Sequence, residues 1–331
     1  MRDGTIRNNR MEAYKESAID KYESMLRVHA MPAIGGLRMC DLTVSVLAEF
    51  IDLLAAEESP ETAKKTRDAI SVCFRRAIRE DLVAANPCRE VRAPATANGR
   101  PSRILDLDEQ AALGSAAQQV DARLGHSRAF PILRLALDLG LRSGEILAAQ
   151  WGPHSLDLHQ GTFTVGRFGN LARKRDRATG KFPMIAPKSS ASLRTMEMPP
   201  SLVQAMERHR SAVGEPDDGA LVFADGLGNP VCAVNVLNRD WQRTLDSAGL
   251  ASPRPRFHDL RHTWAVTMLR ALGVERVQVV RELGGWSSTK MVWDRYGRHA
   301  LPSERLGTGA ALDNYRSSHV DTSRNGPGMA P

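Results

Sequence analysis

A histidine and an arginine three positions apart, in the sequence HDLRH, lie in a stretch with helical spacing of its apolar residues. His258 and Arg261 share one face of such a helix, because side chains at positions i and i+3 are neighbours. His258 and His262 also have the i, i+4 spacing of two zinc ligands, but no glutamate follows His258 and Arg261 would place positive charge beside the metal. The spacing therefore favours a bound anion such as a phosphate over a metal ion.

Three other stretches contain polar residues that packing alone does not require. Arg142 lies in GLRSGE, where two glycines let the backbone approach a ligand closely and where the arginine can instead pair with Glu145. Lys188 lies in the polar turn PKSSAS between two predicted strands, where it either donates a proton to a ligand or only improves solubility. Tyr296 follows Trp286 by ten positions and is bracketed by arginines and a glycine, a poor environment for a core residue. Each stretch on its own is weak evidence for a site.

Together and in this order, the four stretches resemble the active site of the tyrosine recombinases, the phage integrase family. The phrases GLRSGEIL, PKSSASLRTMEMP, HDLRHTWA and LGGWSSTKMVWDRYGRH carry the resemblance. The N-terminal helices are similar to the core-binding domain of that family, and the rest of the chain is similar to its catalytic domain. The resemblance implies a site-specific DNA recombinase, an integrase that cuts and rejoins duplex DNA through a 3′-phosphotyrosine intermediate to integrate or excise a mobile element.

The resemblance also implies a role for each of the catalytic residues. Tyr296 is the nucleophile, and its phenol needs a general base because an ordinary tyrosine has a pKa of about 10. His258 is the expected base, and Lys188 is the expected general acid for the leaving 5′-hydroxyl. Arg142 and Arg261 are expected to bind the non-bridging phosphate oxygens, on which negative charge develops during the transfer.

One position of the resemblance is open. Family members often have histidine where it places Trp286, and tryptophan, which offers only an indole N–H donor, is a known substitute. The spacing from Trp286 to Tyr296 is one residue longer than in several members, and one residue turns a helix by about 100°. Gly285 is the alternative occupant of this position. Glu145 and His262 are expected to orient the arginine and the phosphate site.

The net charge of +7 indicates a polyanionic partner. The excess is concentrated in three blocks: residues 61–103 hold ten basic and five acidic residues, 167–181 six and one, and 251–300 nine and four. A solvated charged face is the alternative reading of the first block. Contacts to DNA phosphates set position more than sequence, and the residues expected to make them are Lys64, Arg67, Arg75, Arg79, Arg173, Lys174, Arg175 and Arg177.

The chain is expected to be mostly α-helical with a small β-sheet, an α+β fold. The expected parts are a helical core-binding domain over 1–90, a Pro- and Arg-containing linker over 91–104, a catalytic domain over 105–313 and a disordered tail over 314–331. Helices are predicted over 11–28, 44–56, 61–82, 107–117, 128–139, 143–151, 199–212, 233–248, 258–272, 274–283 and 287–297, and strands over 161–165, 182–186 and 193–198. Because the sequence begins almost directly in the core-binding helices, a separate arm-binding domain is expected to be absent or missing from it.

Several classes of protein do not fit the composition. The four cysteines have no C-x-x-C spacing, which argues against disulfides and zinc and favours a reducing compartment. The sequence has no apolar run of membrane-spanning length and no signal peptide. It has no G-x-x-x-x-G-K-[ST] loop and no carboxylate cluster, so neither ATP nor a metal cofactor is expected. We therefore expect a cytoplasmic, nucleoid-associated enzyme without a cofactor.

The partners implied by the resemblance are duplex DNA and further copies of this chain, in a tetramer on two DNA sites. An excisionase or a host DNA-bending protein is a further expected partner. Two other functions stay open: a non-catalytic DNA-binding protein on the same fold, and a dimer-resolving recombinase or relaxing topoisomerase. Covalent attachment to DNA separates the enzyme from the binding protein, and strand exchange between two sites separates recombination from relaxation.

Overall fold

In the computed structural model, the chain divides into two compact units, Met1–Pro101 and Ser102–Pro331. The structure describes residues 14, 16–95, 101–166, 170–171, 183–185, 193–232 and 235–300. Within these residues each unit has its own apolar core. Helices dominate, with one three-stranded and one two-stranded sheet in the described part of the chain, which confirms the expected α+β class.

The first unit is a small group of helices. They are α1 (Glu16–Met25), α2 (Met31–Ile34), α3 (Val44–Glu57) and α4 (Pro60–Arg79), with a π-helical turn over Leu26–Ala30 and short 3₁₀ turns over Met39–Asp41 and Pro87–Arg89. Thr43 and Ser59 begin the two long helices, since each hydroxyl accepts a hydrogen bond from the backbone N–H three residues later, at 3.3 and 3.1 Å. The two long helices therefore have defined starting points.

Helix α4 is shorter than the sequence predicts. It ends at Arg79 because Asp81 has a positive φ of 55° and the backbone N–H of Leu82 donates to the Ala77 carbonyl, 2.9 Å away. This return of the chain satisfies a carbonyl at the helix end and stops the helix. Ile70, Phe74 and Ala77 are buried, at a spacing that places them on one face of the helix.

The second unit contains most of the helices. They are α5 (Leu107–Leu124), α6 (Ala129–Asp138), α7 (Ser143–Leu147), α8 (Pro200–Ala212), α9 (Trp241–Ala248), α10 (Phe257–Leu272), α11 (Val277–Gly284), α12 (Thr289–Val292) and α13 (Arg298–Ala300). Π-helical turns cover Val236–Asp240 and Trp293–Gly297, and a 3₁₀ turn covers Val274–Arg276. The prediction for α5 was seven residues too short, and α7 ends four residues earlier than predicted.

The sheets of the second unit are small and antiparallel. Strands β1 (Leu156–Asp157), β2 (Thr162–Val165) and β5 (Arg194–Glu197) pair in the order β1-β2-β5, and β3 (Asn170–Leu171) pairs with β4 (Met184–Ile185). Val165 lies opposite Arg194, and Phe163 lies opposite Met196. All four of these side chains are buried. An arginine therefore occupies a core-facing position of β5.

Helix α10 crosses the core of the second unit. It begins where the Asp259 carboxylate accepts a hydrogen bond from the Arg256 backbone N–H at 2.8 Å, and Leu260, Ala265 and Leu269 are fully buried along it. Gly140, with a φ of +61°, lets the loop after α6 approach α10, since a Cβ there would collide with the Trp264 ring. This close approach brings the α6–α7 loop to the start of α10.

Candidate active site

Four segments of the second unit meet around Tyr296. The π-helical turn after α12 carries Tyr296, the start of α10 carries the two histidines, and the residues after α11 carry Trp286. The ring centroids of His262 and Trp286 each lie 5.5 Å from that of Tyr296, and the His258 ring lies 4.9 Å from the His262 ring. The fourth segment is the α6–α7 loop, which contributes main-chain and side-chain contacts to the arginines.

Arg261 is held in the site by main-chain carbonyls. It is 2% exposed, and its guanidinium donates to the Gly140 carbonyl at 2.6 Å and to the Gly284 carbonyl. The guanidinium also lies 4.3 Å from the centre of the Trp286 ring. Burial and the nearby Arg142 lower the pKa of Arg261 to about 9, so it is still charged at neutral pH. Because carbonyls are neutral acceptors, the charge of Arg261 can act on an anion.

Arg142 is tethered by a buried carboxylate. Glu145 accepts hydrogen bonds from the Arg142 guanidinium at 2.7 Å and from the Arg142 backbone N–H at 2.8 Å. Burial would raise the pKa of Glu145, but the charges of Arg194 and Arg142 outweigh it and hold the pKa below its ordinary value. The Arg142 side chain is 40% exposed while Glu145 is buried, so the carboxylate positions an arginine that reaches the surface.

Arg194 is a residue of this cluster that the sequence analysis missed. From β5 it donates to Glu145 at 3.1 Å and to the Leu283 carbonyl at 2.5 Å. Arg194 therefore links two parts of the site. One is the Glu145 carboxylate, which tethers Arg142, and the other is the end of α11, where the neighbouring Gly284 carbonyl accepts from Arg261. The alternation of inward-facing Arg194 and Met196 along LRTMEMP was the available signal.

The phenol of Tyr296 is enclosed. The residue is 1% exposed, and its hydroxyl lies 2.6 Å from Nδ1 of His262. Burial raises the pKa of Tyr296, and the charges of Arg295 and Arg261 oppose that rise. The arginines beside Tyr296 are apparent in the sequence, but the influence of Arg295 on the phenol was not predicted.

The two histidines of α10 have different surroundings. His262 is buried, and burial followed by the influence of His258 lowers its pKa to about 4. His258 is exposed, and its pKa is lowered by partial desolvation and by the charges of Arg261 and Arg142. Both imidazoles are neutral at neutral pH. The phenol contacts His262, whereas the sequence argument had assigned its proton to His258.

Trp286, and not Gly285, places a side chain in the site. Gly285 has a φ of 62° and ends α11 as its left-handed cap. The Trp286 indole is 8% exposed and contacts Tyr296, Arg261 and the Trp264 ring, whose centroid is 6.0 Å away. A Cβ on Gly284 would collide with this indole, so the glycine allows the ring to lie against the helix end.

The comparison with known families decides the affiliation. The sequence model of the phage integrase family matches residues 103–301, and that of the phage integrase central domain matches residues 5–94. The chain belongs to the phage integrase family. This confirms the resemblance drawn from the four sequence phrases.

Individual relatives and structures agree with that affiliation. A tyrosine recombinase XerC-like protein of Caldanaerobacter subterraneus subsp. tengcongensis is 25% identical over 91% of this integrase-family chain and 78% of its own length. An integrase of Streptomyces ambofaciens is 24% identical over 88% and 74%, respectively. The Tn1549 transposon integrase, solved with circular intermediate DNA, has a TM-score of 0.69 at 18% identity, covering 91% of this chain and 94% of that one. A lambda integrase dimer bound to a COC′ core site has a TM-score of 0.63 at 19% identity, covering 88% and 75%. The chain is thus a tyrosine recombinase by family and has the fold of the integrases.

Some residues expected in the site of this integrase-family chain lie outside the described residues. These are Lys188, Arg173, Lys174, Arg175 and Arg177. Of the four expected DNA-binding residues on α4, Lys64 and Arg79 are exposed. Arg67 donates to the Val91 carbonyl at 3.1 Å, and Arg75 donates to the Tyr14 hydroxyl at 2.7 Å. Arg67 and Arg75 therefore also stabilise the first unit.

The residues that the structure describes contain no group of three or more His, Cys, Asp or Glu side chains arranged to hold a metal ion. No helix among them is both long enough and apolar enough to cross a membrane.

Proposed function

We propose that this chain is a site-specific recombinase that uses Tyr296 as its covalent nucleophile on duplex DNA. The observation that carries this proposal is the enclosed Tyr296 phenol, hydrogen-bonded to His262 and packed on the same indole that contacts the Arg261 guanidinium. The phenolic oxygen attacks the phosphorus, the bond from phosphorus to the 5′-oxygen breaks, and a 3′-phosphotyrosine and a free 5′-hydroxyl result. Rejoining reverses these bonds, so the covalent link conserves the energy of the broken strand.

The arginines supply the charge that this transfer needs. Arg261 and Arg142 bind the non-bridging oxygens, where guanidinium forks match the geometry of a phosphate. Arg261 is fixed by two carbonyls before the substrate arrives, so little reorganisation is needed when negative charge develops. Glu145, with Arg194 behind it, sets the direction of Arg142.

Other residues assist the leaving group and the phosphate. Lys188 protonates the departing 5′-oxygen, a role that rests on the sequence resemblance. His258 is neutral, exposed and under the influence of Arg261 and Arg142, which suits an imidazole N–H that donates to a phosphate oxygen. Trp286 packs against the nucleophile and offers an indole N–H to the same phosphate.

The partners follow from the same reading. We propose duplex DNA contacts by Lys64, Arg79 and the basic residues over 167–181, and a tetramer of this chain on two sites, with an excisionase or DNA-bending protein as accessory factor and the nucleoid as location. A solved lambda integrase structure is a tetramer bound to a Holliday junction, which supports the assembly by similarity of fold. A prophage phiRv2 integrase of Mycobacterium tuberculosis is 25% identical over 80% of this chain, which supports a mobile-element context.

Covalent attachment tests the proposal. The protein is incubated with nicked duplexes taken from DNA flanking its gene, and a DNA-shifted protein band that survives SDS is expected. Tyr296→Phe removes the nucleophilic oxygen and abolishes this band. Tyr22→Phe, which alters a partly buried tyrosine of α1, is the matched control and retains it. Tight DNA binding without any covalent band would instead show a non-catalytic DNA-binding protein.

A dimer-resolving recombinase is the second candidate. It is favoured by relatives named XerC, including one of Alcanivorax borkumensis that is 26% identical over 69% of this chain. Plasmids carrying two copies of the cleaved site distinguish the functions. An integrase joins sites on separate molecules, a resolvase excises between two sites on one molecule, and a relaxing topoisomerase changes supercoiling without exchanging strands.

A further inference from the structure

The Tyr296 phenol lies against the ring of His262. His262 Nδ1 lies 2.6 Å from the phenolic oxygen, and the two ring centroids are 5.5 Å apart. The charges of Arg295 and Arg261 also act on the phenol and favour its ionised form. In the neutral tautomer of His262 that carries its ring hydrogen on Nε2, Nδ1 accepts the hydrogen bond of the phenol. The phenolic hydrogen and its acceptor are then within reach of a direct proton transfer.

His262 is in the right state to accept a proton. Its ring is 4% exposed and its pKa of about 4 keeps it neutral at neutral pH. Besides the phenol, the titratable and charged groups that act on it are His258, Asp259, Arg256 and Arg295. Three of these groups are basic, so at neutral pH they disfavour imidazolium at His262 until negative charge arrives. The phosphodiester of bound DNA brings such a charge to the arginines beside Tyr296.

We propose that His262, rather than His258, takes the phenolic proton of Tyr296 during strand cleavage and returns it during rejoining. The inference rests on the proposed function of Tyr296 as nucleophile. In cleavage the O–H bond of Tyr296 breaks, its proton passes to Nδ1, and the oxygen bonds to phosphorus as the 5′-oxygen leaves with a proton from the general acid. In rejoining the 5′-hydroxyl attacks phosphorus, and the departing phenolate regains its proton from the His262 imidazolium.

The position of His258 supports this division of labour. His258 and His262 lie on consecutive turns of α10, but only His262 is buried against the nucleophile. His258 is exposed and is influenced most, after desolvation, by Arg261 and Arg142. These are the two side chains proposed to bind phosphate. One histidine thus faces the nucleophile and the other faces the electrophile.

Single-turnover cleavage of the suicide duplex by His262→Asn tests the inference. The asparagine amide oxygen retains a hydrogen-bond acceptor near the phenol but is not a base. We expect the rate of covalent attachment to fall by about 10²–10⁴-fold, the usual size of a general-base contribution. A duplex with a 5′-bridging phosphorothiolate does not need the general acid, because its thiolate leaves without a proton. The phenol must still lose its proton, so the same loss is expected on this duplex.

The pH profile separates a base from a structural residue. The wild-type rate should be flat from pH 6 to pH 9, whereas the His262→Asn rate should rise tenfold per pH unit, because the variant depends on spontaneous ionisation of the phenol. A merely structural role would lower the rate without changing this slope. His258→Asn, measured alongside, should keep the flat profile of the wild type.

His209→Asn is the matched control for loss of a buried imidazole. His209 is 2% exposed, lies 3.0 Å from the Val222 carbonyl oxygen, and is distant in sequence from the site. It should lower thermal stability while leaving the cleavage rate unchanged, and mobility shift with intact DNA confirms that both variants are folded. A His262→Asn variant that cleaves at the wild-type rate or faster, or a tenfold slope confined to His258→Asn, would overturn the inference and leave the proposed function standing. Absence of covalent attachment by the wild type would overturn the proposed function itself.

Discussion

Helix α4 of the first unit and helix α10 of the second differ in what they bury. The buried side chains of α4 are apolar except for Thr66. Helix α10 buries Asp259, Arg261, His262 and Thr263 beside its apolar residues. Burying apolar surface stabilises a fold, whereas burying charged and polar groups costs free energy unless every group finds a partner. The difference indicates that α4 holds its unit together and that α10 carries chemistry at the expense of stability.

The buried Asp259, Arg261, His262 and Thr263 of α10 have hydrogen-bond partners within the helix and on other elements. Thr263 donates to the Asp259 carbonyl at 3.0 Å and accepts from the Leu105 backbone N–H at 3.1 Å. Asp259 pairs with Arg256 at 2.9 Å, and Arg261 donates to one carbonyl in the α6–α7 loop and to another at the end of α11. Each contact offsets part of the cost of burial. The start of α10 is therefore rigid because its polar side chains are anchored, and this rigidity positions the site in advance.

The largest expected effect concerns Arg261, the buried arginine of α10, and the rate of covalent attachment. Arg261→Ala should lower the rate of covalent attachment by about 10³–10⁵-fold, as for a transition-state arginine in other phosphoryl transfers. Arg261→Lys should recover little, because an ammonium cannot donate to the Gly140 and Gly284 carbonyls and bind phosphate as a planar fork. Single-turnover kinetics measure both variants. A rate within tenfold of wild type for either folded variant would contradict the assignment.

The next effect tests the structural role of α4. Phe74 is 1% exposed, and Phe74→Ala should lower the free energy of unfolding of the first unit by about 3–5 kcal/mol. Denaturant titration measures the loss. Leu53→Ala on α3, where the leucine is 55% exposed, is the matched control and should change stability by less than about 0.5 kcal/mol. At temperatures where Phe74→Ala is folded, the rate of strand cleavage on bound DNA should be that of the wild type.

Acid should weaken the second unit through His262. The pKa of His262 is 6.5 in the unfolded chain and about 4 in the folded protein, so between these pH values the unfolded chain binds the proton more readily. The contribution of His262 to the free energy of unfolding should be fully present above pH 6.5. It should fall by about 3 kcal/mol as pH decreases to 4, at about 1.4 kcal/mol per pKa unit. Denaturant unfolding at a series of pH values measures this slope. His262→Asn should make it shallower but not flat, because His258 and His209 also have lowered pKa values. An unchanged slope would mean that His262 is protonated equally in both states.

A smaller effect is expected at Arg194, which contacts the Glu145 carboxylate that holds Arg142. Arg194→Ala removes the link between Glu145 and the end of α11 and should slow covalent attachment by about 10–100-fold. This is the usual effect of losing a residue that orients a functional side chain without contacting the substrate itself. A double-mutant cycle with Glu145→Gln tests whether both act through Arg142. The double variant should lose no more than the slower single variant, and additive losses would show that the two residues act separately.

The smallest effect concerns the exposed charges of α4. If Lys64 and Arg79 contact phosphates, each alanine variant should reduce the slope of log affinity against log salt by about 1. Arg38→Ala is the control in the same unit, because Arg38 is an exposed arginine that lies outside α4. It should leave the slope unchanged. Equal slopes for Lys64→Ala, Arg79→Ala and the wild type would favour a solvated face.

Local sequence patterns were sufficient for the family and the fold class but not for the contacts within the site. The phrase HDLRHTWA identified α10 and its polar residues because they lie within one stretch. The contact between His262 and Tyr296 joins residues 34 positions apart, so no spacing rule could find it. Arg194 was hidden because an arginine in a short strand is usually at the surface.

The errors in helix length have equally local causes. The prediction ended α5 near Gly114 and Ser115, which are poor helix formers. The helix nevertheless continues to Leu124, because Val120 and Ala117 are buried and Gly125 provides its left-handed cap. Tertiary packing overrides the weak propensity of a glycine–serine pair in the middle of the helix.

The carbonyl anchors of Arg261 have a consequence for altering the protein. Every residue has a main-chain carbonyl, so these hydrogen bonds cannot be deleted by exchanging one side chain for another. What evolution or a mutagenesis library can disturb is the path of the backbone, and at Gly140 and Gly284 any larger residue collides with a tryptophan ring. Libraries aimed at new DNA targets should therefore hold these two glycines constant, and on α4 they should vary Lys64 and Arg79 while they keep Arg67 and Arg75 for their contacts within the first unit.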